Sequence, residues 1–122
     1  MTESPGIGPV QGKLWGQTQS VFAWNGVSAH SIRVKAGGYC SKHSHQHRWN
    51  RFLVLRGRLL VRIWKDGSPD ETVVSEGGVS DVPPGVRHQF EALEDVEAVE
   101  FYWTVCDDGD IDRHGTVGGM KE

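Results

Sequence analysis

Turn signals recur every roughly 8–12 residues along most of this chain, and between them no stretch holds a 3.6-residue apolar period for the ten or so residues a helix needs. Sixteen glycines and five prolines supply those turns. Their spacing predicts an all-β fold, a sandwich or barrel of short strands. Alternation marks strands at Ser20–Asn25 and at His30–Lys35. Two stretches rich in branched and aromatic residues, Arg51–Arg56 and Arg58–Trp64, flank Gly57 and read as strands joined at a tight turn. Asp66-Gly67-Ser68-Pro69-Asp70 is a turn cluster before a short strand at Glu71–Val74. Glu76-Gly77-Gly78 and Pro83-Pro84-Gly85 bracket a strand at Val79–Val82, and His88–Ala92 and Val96–Thr104 close the set.

The chain's 122 residues suit one domain, with a barrel over about 14–105, a Gly/Pro-rich arm over 1–12 and an acidic, then glycine-rich tail over 107–122. A net charge of −3 gives no footprint for nucleic acid or anionic lipid. No apolar run approaches a membrane span. The first residues lack the basic flank and apolar core of a signal peptide, so a cytoplasmic location is expected. Cys40 and Cys106 read as a reduced thiol pair.

Histidines carry the chemistry. His43, His45 and His47 occupy alternate positions, so an extended segment would point all three to one face, and His88 follows on a later strand. Neutral imidazoles from two neighbouring segments make a facial metal site with open positions. A polar, solvated strand would have the same spacing.

The flanking residues add a pattern. Gly37, five residues, His43-Ser44-His45, four residues, Asn50, six residues and Gly57 form one motif; Gly77, five residues, Pro83-Pro84-Gly85, two residues and His88 form a second. In this order and spacing they resemble the two motifs of the cupin superfamily. The resemblance implies a double-stranded β-helix, a jelly-roll barrel of six to eight strands, with a divalent transition metal (Zn, Mn, Fe, Co or Ni) held by His43, His45 and His88. Asn50 stands where the superfamily usually supplies a glutamate ligand, so the fourth position is neutral.

Leu14-Trp15-Gly16, Val34-Lys35-Ala36-Gly37-Gly38, His45-Gln46-His47-Arg48, Val82–His88 and Asp110-Ile111-Asp112-Arg113 together resemble the mannose-6-phosphate isomerase-like cupins. Laid over that family, His43 falls on a Gln ligand, His45 and His88 on His ligands, Asn50 on the Glu ligand, and Arg113 on a sugar-phosphate-handling arginine. This implies a metal-dependent isomerase acting on a phosphorylated or nucleotide-linked sugar. Its base would be His47 or Glu100, and Arg113, Arg48, Arg51 and Arg87 would be the phosphate contacts. Two other readings stand beside it. Three neutral histidines on Fe(II) are also the ligand set of thiol dioxygenase-like cupins, and Trp24, Trp49, Tyr39, Phe90 and Trp103 could line a non-catalytic sugar-binding pocket. Exposed sheet edges predict a homodimer.

Overall fold

The computed structural model describes residues 7–104 and 118, and among these every regular element is a strand. There are nine: β1 Val10–Lys13, β2 Gly16–Trp24, β3 Val27–Val34, β4 Trp49–Arg56, β5 Leu59–Asp66, β6 Ser68–Val74, β7 Val79–Val82, β8 Arg87–Ala92 and β9 Val96–Trp103. They form a six-stranded sheet, β1-β2-β3-β9-β4-β7, and a three-stranded sheet, β6-β5-β8, with all pairings antiparallel. The all-β architecture is as the turn spacing predicts, and the jelly roll is as the resemblance implies.

Period-2 alternation places the core. β4 buries Asn50, Phe52 and Val54, β8 buries His88, Phe90 and Ala92, and β9 buries Val96, Ala98 and Glu100. Phe52, Val54, Leu59 and Val61 are at most 1% exposed, and each such side chain stabilises the fold by about 1.5–3 kcal/mol. Pro69 falls in β6, an edge strand, where its missing N–H costs no ladder bond. On the outer face Arg51 donates twice to Asp81, at 2.7 and 2.8 Å, tying β4 to β7.

Several features differ from the sequence reading, among them a β6 that begins at Ser68 inside the predicted turn cluster and a β3 that begins at Val27. β4 and β5 are not a hairpin: β4 pairs with β9 and β7, whereas β5 pairs with β6 and β8. Gly57 therefore turns the chain from one sheet into the other. Both flanking stretches are apolar enough to line a core, and that pattern is the same whether they share a sheet or face each other across it. β2 begins at Gly16 rather than Ser20, because a register shift between Ser20 and Phe22 interrupts its alternation. Finally, Val10–Lys13, within the stretch read as an arm, adds to the edge of β2 as β1 and brings the count to nine strands.

The segment from Gly37 to His43 runs alongside β8. Gly37 N–H donates to Ala92 O (2.8 Å), Cys40 N–H donates to Phe90 O (3.2 Å), and Phe90 N–H donates to Cys40 Sγ (3.2 Å). Cys40 is free and 7% exposed, and burial raises its thiol from an ordinary 9.0 to about 11. A thiol that is harder to ionise folded than unfolded adds stability that is complete below about pH 9 and is lost as pH rises toward 11. Denaturant titrations should show Cys40→Ala losing about 2–3 kcal/mol less than the natural protein over that window. Parallel pH profiles for the two proteins would refute this.

Candidate metal centre

The irregular segment before β4 and the turn before β8 build the site together. His43 and His88 exchange both backbone hydrogen bonds, 3.0 and 2.8 Å, as a close antiparallel pair. Their imidazoles consequently leave the backbone side by side, with ring centroids 4.4 Å apart. Gly85, at φ 79, turns the Pro83-Pro84-Gly85 loop so that its N–H donates to His45 O at 2.7 Å. That bond anchors His45, whose ring lies 5.0 Å from that of His43 and 5.4 Å from that of His88. One ligand atom from each of the three falls within 4.8 Å of the others.

Hydrogen bonds orient the rings. His43 Nδ1 lies 2.8 Å from Ser41 O and His88 Nδ1 lies 3.1 Å from Val86 O. Donation from Nδ1 to a carbonyl leaves the Nε2 lone pair of each ring for a metal. Arg48 Nη2 is 3.5 Å from His45 Nδ1, at the outer limit of a hydrogen bond and too long to fix that tautomer. Burial, reinforced by the Arg48 charge and then by His43 and His88, holds His45 down at about 4, and burial likewise lowers His88. Both are neutral at pH 7, the form that ligates.

Among the described residues, the buried side-chain atoms with no hydrogen-bond partner are His45 Nε2, His88 Nε2 and Asn50 Oδ1. Orphaned buried polar atoms are costly, and here they gather at one site. The donor set fits a divalent transition metal: three imidazole nitrogens within 4.8 Å of one another. Asn50 is fully buried on β4, and its Nδ2 donates to Phe101 O (3.3 Å) and to Glu100 Oε2 (3.4 Å).

Beside this cluster is a carboxylate. Glu100 on β9 is 8% exposed and pairs across the sheet with His30 and Phe52. Tyr102 hydroxyl donates to Glu100 Oε2 at 2.7 Å, so two donors converge on a single oxygen. Burial and the Glu100 carboxylate push the Tyr102 phenol far above its ordinary range, and it remains a donor. Its ring packs on His45 at 5.2 Å, and the Arg48 guanidinium stacks over it at 4.1 Å. A cleft of about 420 Å³ joins His43, Glu100 and Tyr102 and opens past Trp15 and His30. A slightly larger hollow of about 470 Å³ at Arg33, Lys35 and Asp95 contains no histidine.

Of the residues singled out from sequence, His43, His45, His88, Asn50 and Glu100 come together. His47 does not: the chain bends at Gln46–His47 instead of staying extended, and His47 faces solvent. Arg51 is engaged by Asp81, Arg87 is exposed at the start of β8, and Arg48 alone of these three arginines reaches the cleft. Arg113 and Cys106 lie outside the described residues. Phe90 lines the cleft, whereas Trp49 and Trp103 stack on each other (6.0 Å), alternate in their strands with inward Asn50 and Tyr102, and so belong to the outer face. Tyr102 was missed, although its i+2 spacing from Glu100 on a strand places both on one face.

Two antiparallel sheets enclosing a histidine cluster at one mouth define a jelly-roll protein with a candidate transition-metal site. The cupin domain family matches residues 30–105, and the chain belongs to it. No curated protein matches it in sequence. The fold is similar to that of KdgF from Halomonas sp., at 20% identity and TM-score 0.70 over 82% of this chain and 91% of that one. It is also similar to CapF, a capsular polysaccharide assembling protein from Staphylococcus aureus, at 21% identity and TM-score 0.71. That match covers 88% of this chain but 31% of CapF. An oxalate oxidase solved in complex with glycolate gives 24% identity and TM-score 0.60, over 65% of this chain and 42% of the oxidase.

Proposed function

We propose that this cupin is a metal-dependent isomerase or epimerase that removes and restores a proton at carbon next to the carbonyl of a phosphorylated or nucleotide-linked sugar. The observation carrying this reading is the buried Glu100 carboxylate beside three converging imidazoles, two of which, His45 and His88, have unpartnered Nε2 atoms. His43, His45 and His88 would hold the metal, with Asn50 Oδ1 as a weak fourth ligand or the partner of a bound water. When bound, the metal supplies Lewis acidity to a substrate carbonyl. Glu100 takes the proton from the hydroxyl-bearing carbon next to that carbonyl and, after exchange with water, delivers one to the former carbonyl carbon, while the hydroxyl proton passes to the former carbonyl oxygen; in an epimerisation the proton goes back to the same carbon. Tyr102 and Asn50 hold Glu100 Oε2, which leaves Oε1 for the proton. Arg48 offers its fork to a nearby anion, and Arg113 serves the same substrate.

The test is hydrogen exchange in D₂O and product formation on metal-loaded protein, with mannose 6-phosphate, fructose 6-phosphate and maltose 6′-phosphate as probes. Deuterium should enter the carbon adjacent to the carbonyl or the product should form, and Glu100→Gln should slow this by 10²–10⁴-fold at unchanged metal content. Neither exchange nor product in the natural protein with every probe would overturn the reading.

The neutral fourth position at Asn50 favours one alternative, a three-histidine Fe(II) oxygenase with open positions for O₂ and substrate. Oxygen uptake by the iron-loaded protein with thiols or diketones would select it. We further propose a cytoplasmic homodimer that covers partly exposed apolar residues such as Phe22 and Val79. Light scattering at 13.5 kDa would exclude the dimer.

A further inference from the structure

The cleft does not stop at the histidines. From His43 and Glu100 it continues over the inner face of the six-stranded sheet, past His30 on β3 and Thr18 on β2, to Gln11 and Lys13 on β1. β1 stands three strand spacings from β9, roughly 14 Å along the sheet. Register explains the alignment: Gln11 pairs with Thr18 and Thr18 with Ile32, so Gln11 belongs to the inward row, and Lys13 follows it two residues on. The lining is ordered along this length. The His43 and His30 imidazoles, the Glu100 carboxylate and Arg48 occupy one end, Gln11 and Thr18 the middle with the indole of Trp15, and Lys13 the far end.

We propose, building on the metal-dependent reading above, that the substrate is an acidic saccharide of two units, with its reducing end at the histidines and a distal anion at Lys13. One pyranose ring anchored at the histidines is too short to bring its own anion to β1. The Gln11 amide and Thr18 hydroxyl suit the alternating donors and acceptors of a second ring, and Trp15 offers it an apolar face. Lys13 is a compact point charge, suited equally to a distal carboxylate or phosphate.

Calorimetric titration of the metal-loaded full chain distinguishes the possibilities. The probes are glucose 6-phosphate, maltose, maltose 6′-phosphate, and maltose oxidised to a carboxylate on its distal ring. Expected is binding of one or both acidic disaccharides at least 10-fold tighter than of maltose or glucose 6-phosphate, with Lys13→Gln erasing that advantage and leaving maltose unchanged. The tighter of the two acids identifies the anion. Equal binding of either acid by Lys13→Gln and the natural protein, equal binding of glucose 6-phosphate and the disaccharide acids, or no binding of any probe overturns the inference. Elemental analysis of the same samples separates the two readings. A protein that takes up no metal but keeps the Lys13-dependent preference loses the metal chemistry and retains the extended acidic-saccharide site.

Discussion

Replacing His88 by alanine is expected to abolish stoichiometric metal binding. His88 is fully buried, its Nδ1 is engaged by Val86 O, and its unpartnered Nε2 faces the other two imidazoles. Protein prepared without chelator or affinity nickel should carry close to one equivalent of a divalent transition metal. The variant should bind the same metal more than 100-fold more weakly, since loss even of a supporting outer residue commonly costs 10–100-fold. Linkage gives a second readout. A ligand at 100 times its Kd stabilises the native state by about 2.7 kcal/mol, which for a domain of this size raises Tm by roughly 10 °C. Metal should therefore shift the melting of the natural protein and not that of His88→Ala. With chelator present the two should agree within about 2 kcal/mol, because the cavity left by the ring is offset by removal of an orphaned buried nitrogen. Natural protein that holds no metal as prepared and none after reconstitution with Zn, Mn, Fe, Co or Ni would refute the site.

A Gly57→Ala substitution should strongly destabilise the fold. Gly57 adopts φ 88, and a Cβ there would lie 2.2 Å from Asp95 O. Asp95 cannot easily retreat, because its carboxylate also accepts the Ala36 N–H at 2.9 Å. Left-handed strain alone costs about 1–2 kcal/mol, and the backbone clash should bring the total above about 4 kcal/mol or prevent folding. Gly37→Ala is the internal control: its φ is 82 but nothing lies within 4 Å of the added carbon, so only the strain should appear. Urea midpoints measured side by side decide the matter, and equal losses for the two variants would show that the inter-sheet corner yields more readily than its packing implies.

Gly57 also shows where sequence reading runs out. Its need to be glycine is legible as a turn between two apolar stretches, but the turn's role as a corner between sheets is not. Pairing depends on which edges meet in space, and the residues flanking Gly57 satisfy either arrangement. His47 shows the same boundary on a smaller scale. Its i+2 spacing from His45 is a signal only while the chain stays extended, and the bend at Gln46–His47 cancels it. The far end of the cleft was hidden for a related reason, since nothing in a short glycine-flanked stretch announces that Lys13, three strands from β9, will line the same cleft as Glu100.

What the sequence determined is what depends on local chemistry and short spacing. The turn residues set the strand lengths, the period-2 pattern chose inward residues on β4, β8 and β9, and the two glycine-and-histidine motifs marked His43, His45 and His88. The tertiary structure alone decided which strands pair, that a buried carboxylate and phenol from β9 stand beside those histidines, and that the cleft continues to β1. Each of those outcomes joins residues far apart in the chain, and only the closing of two sheets over one core brings them within contact distance.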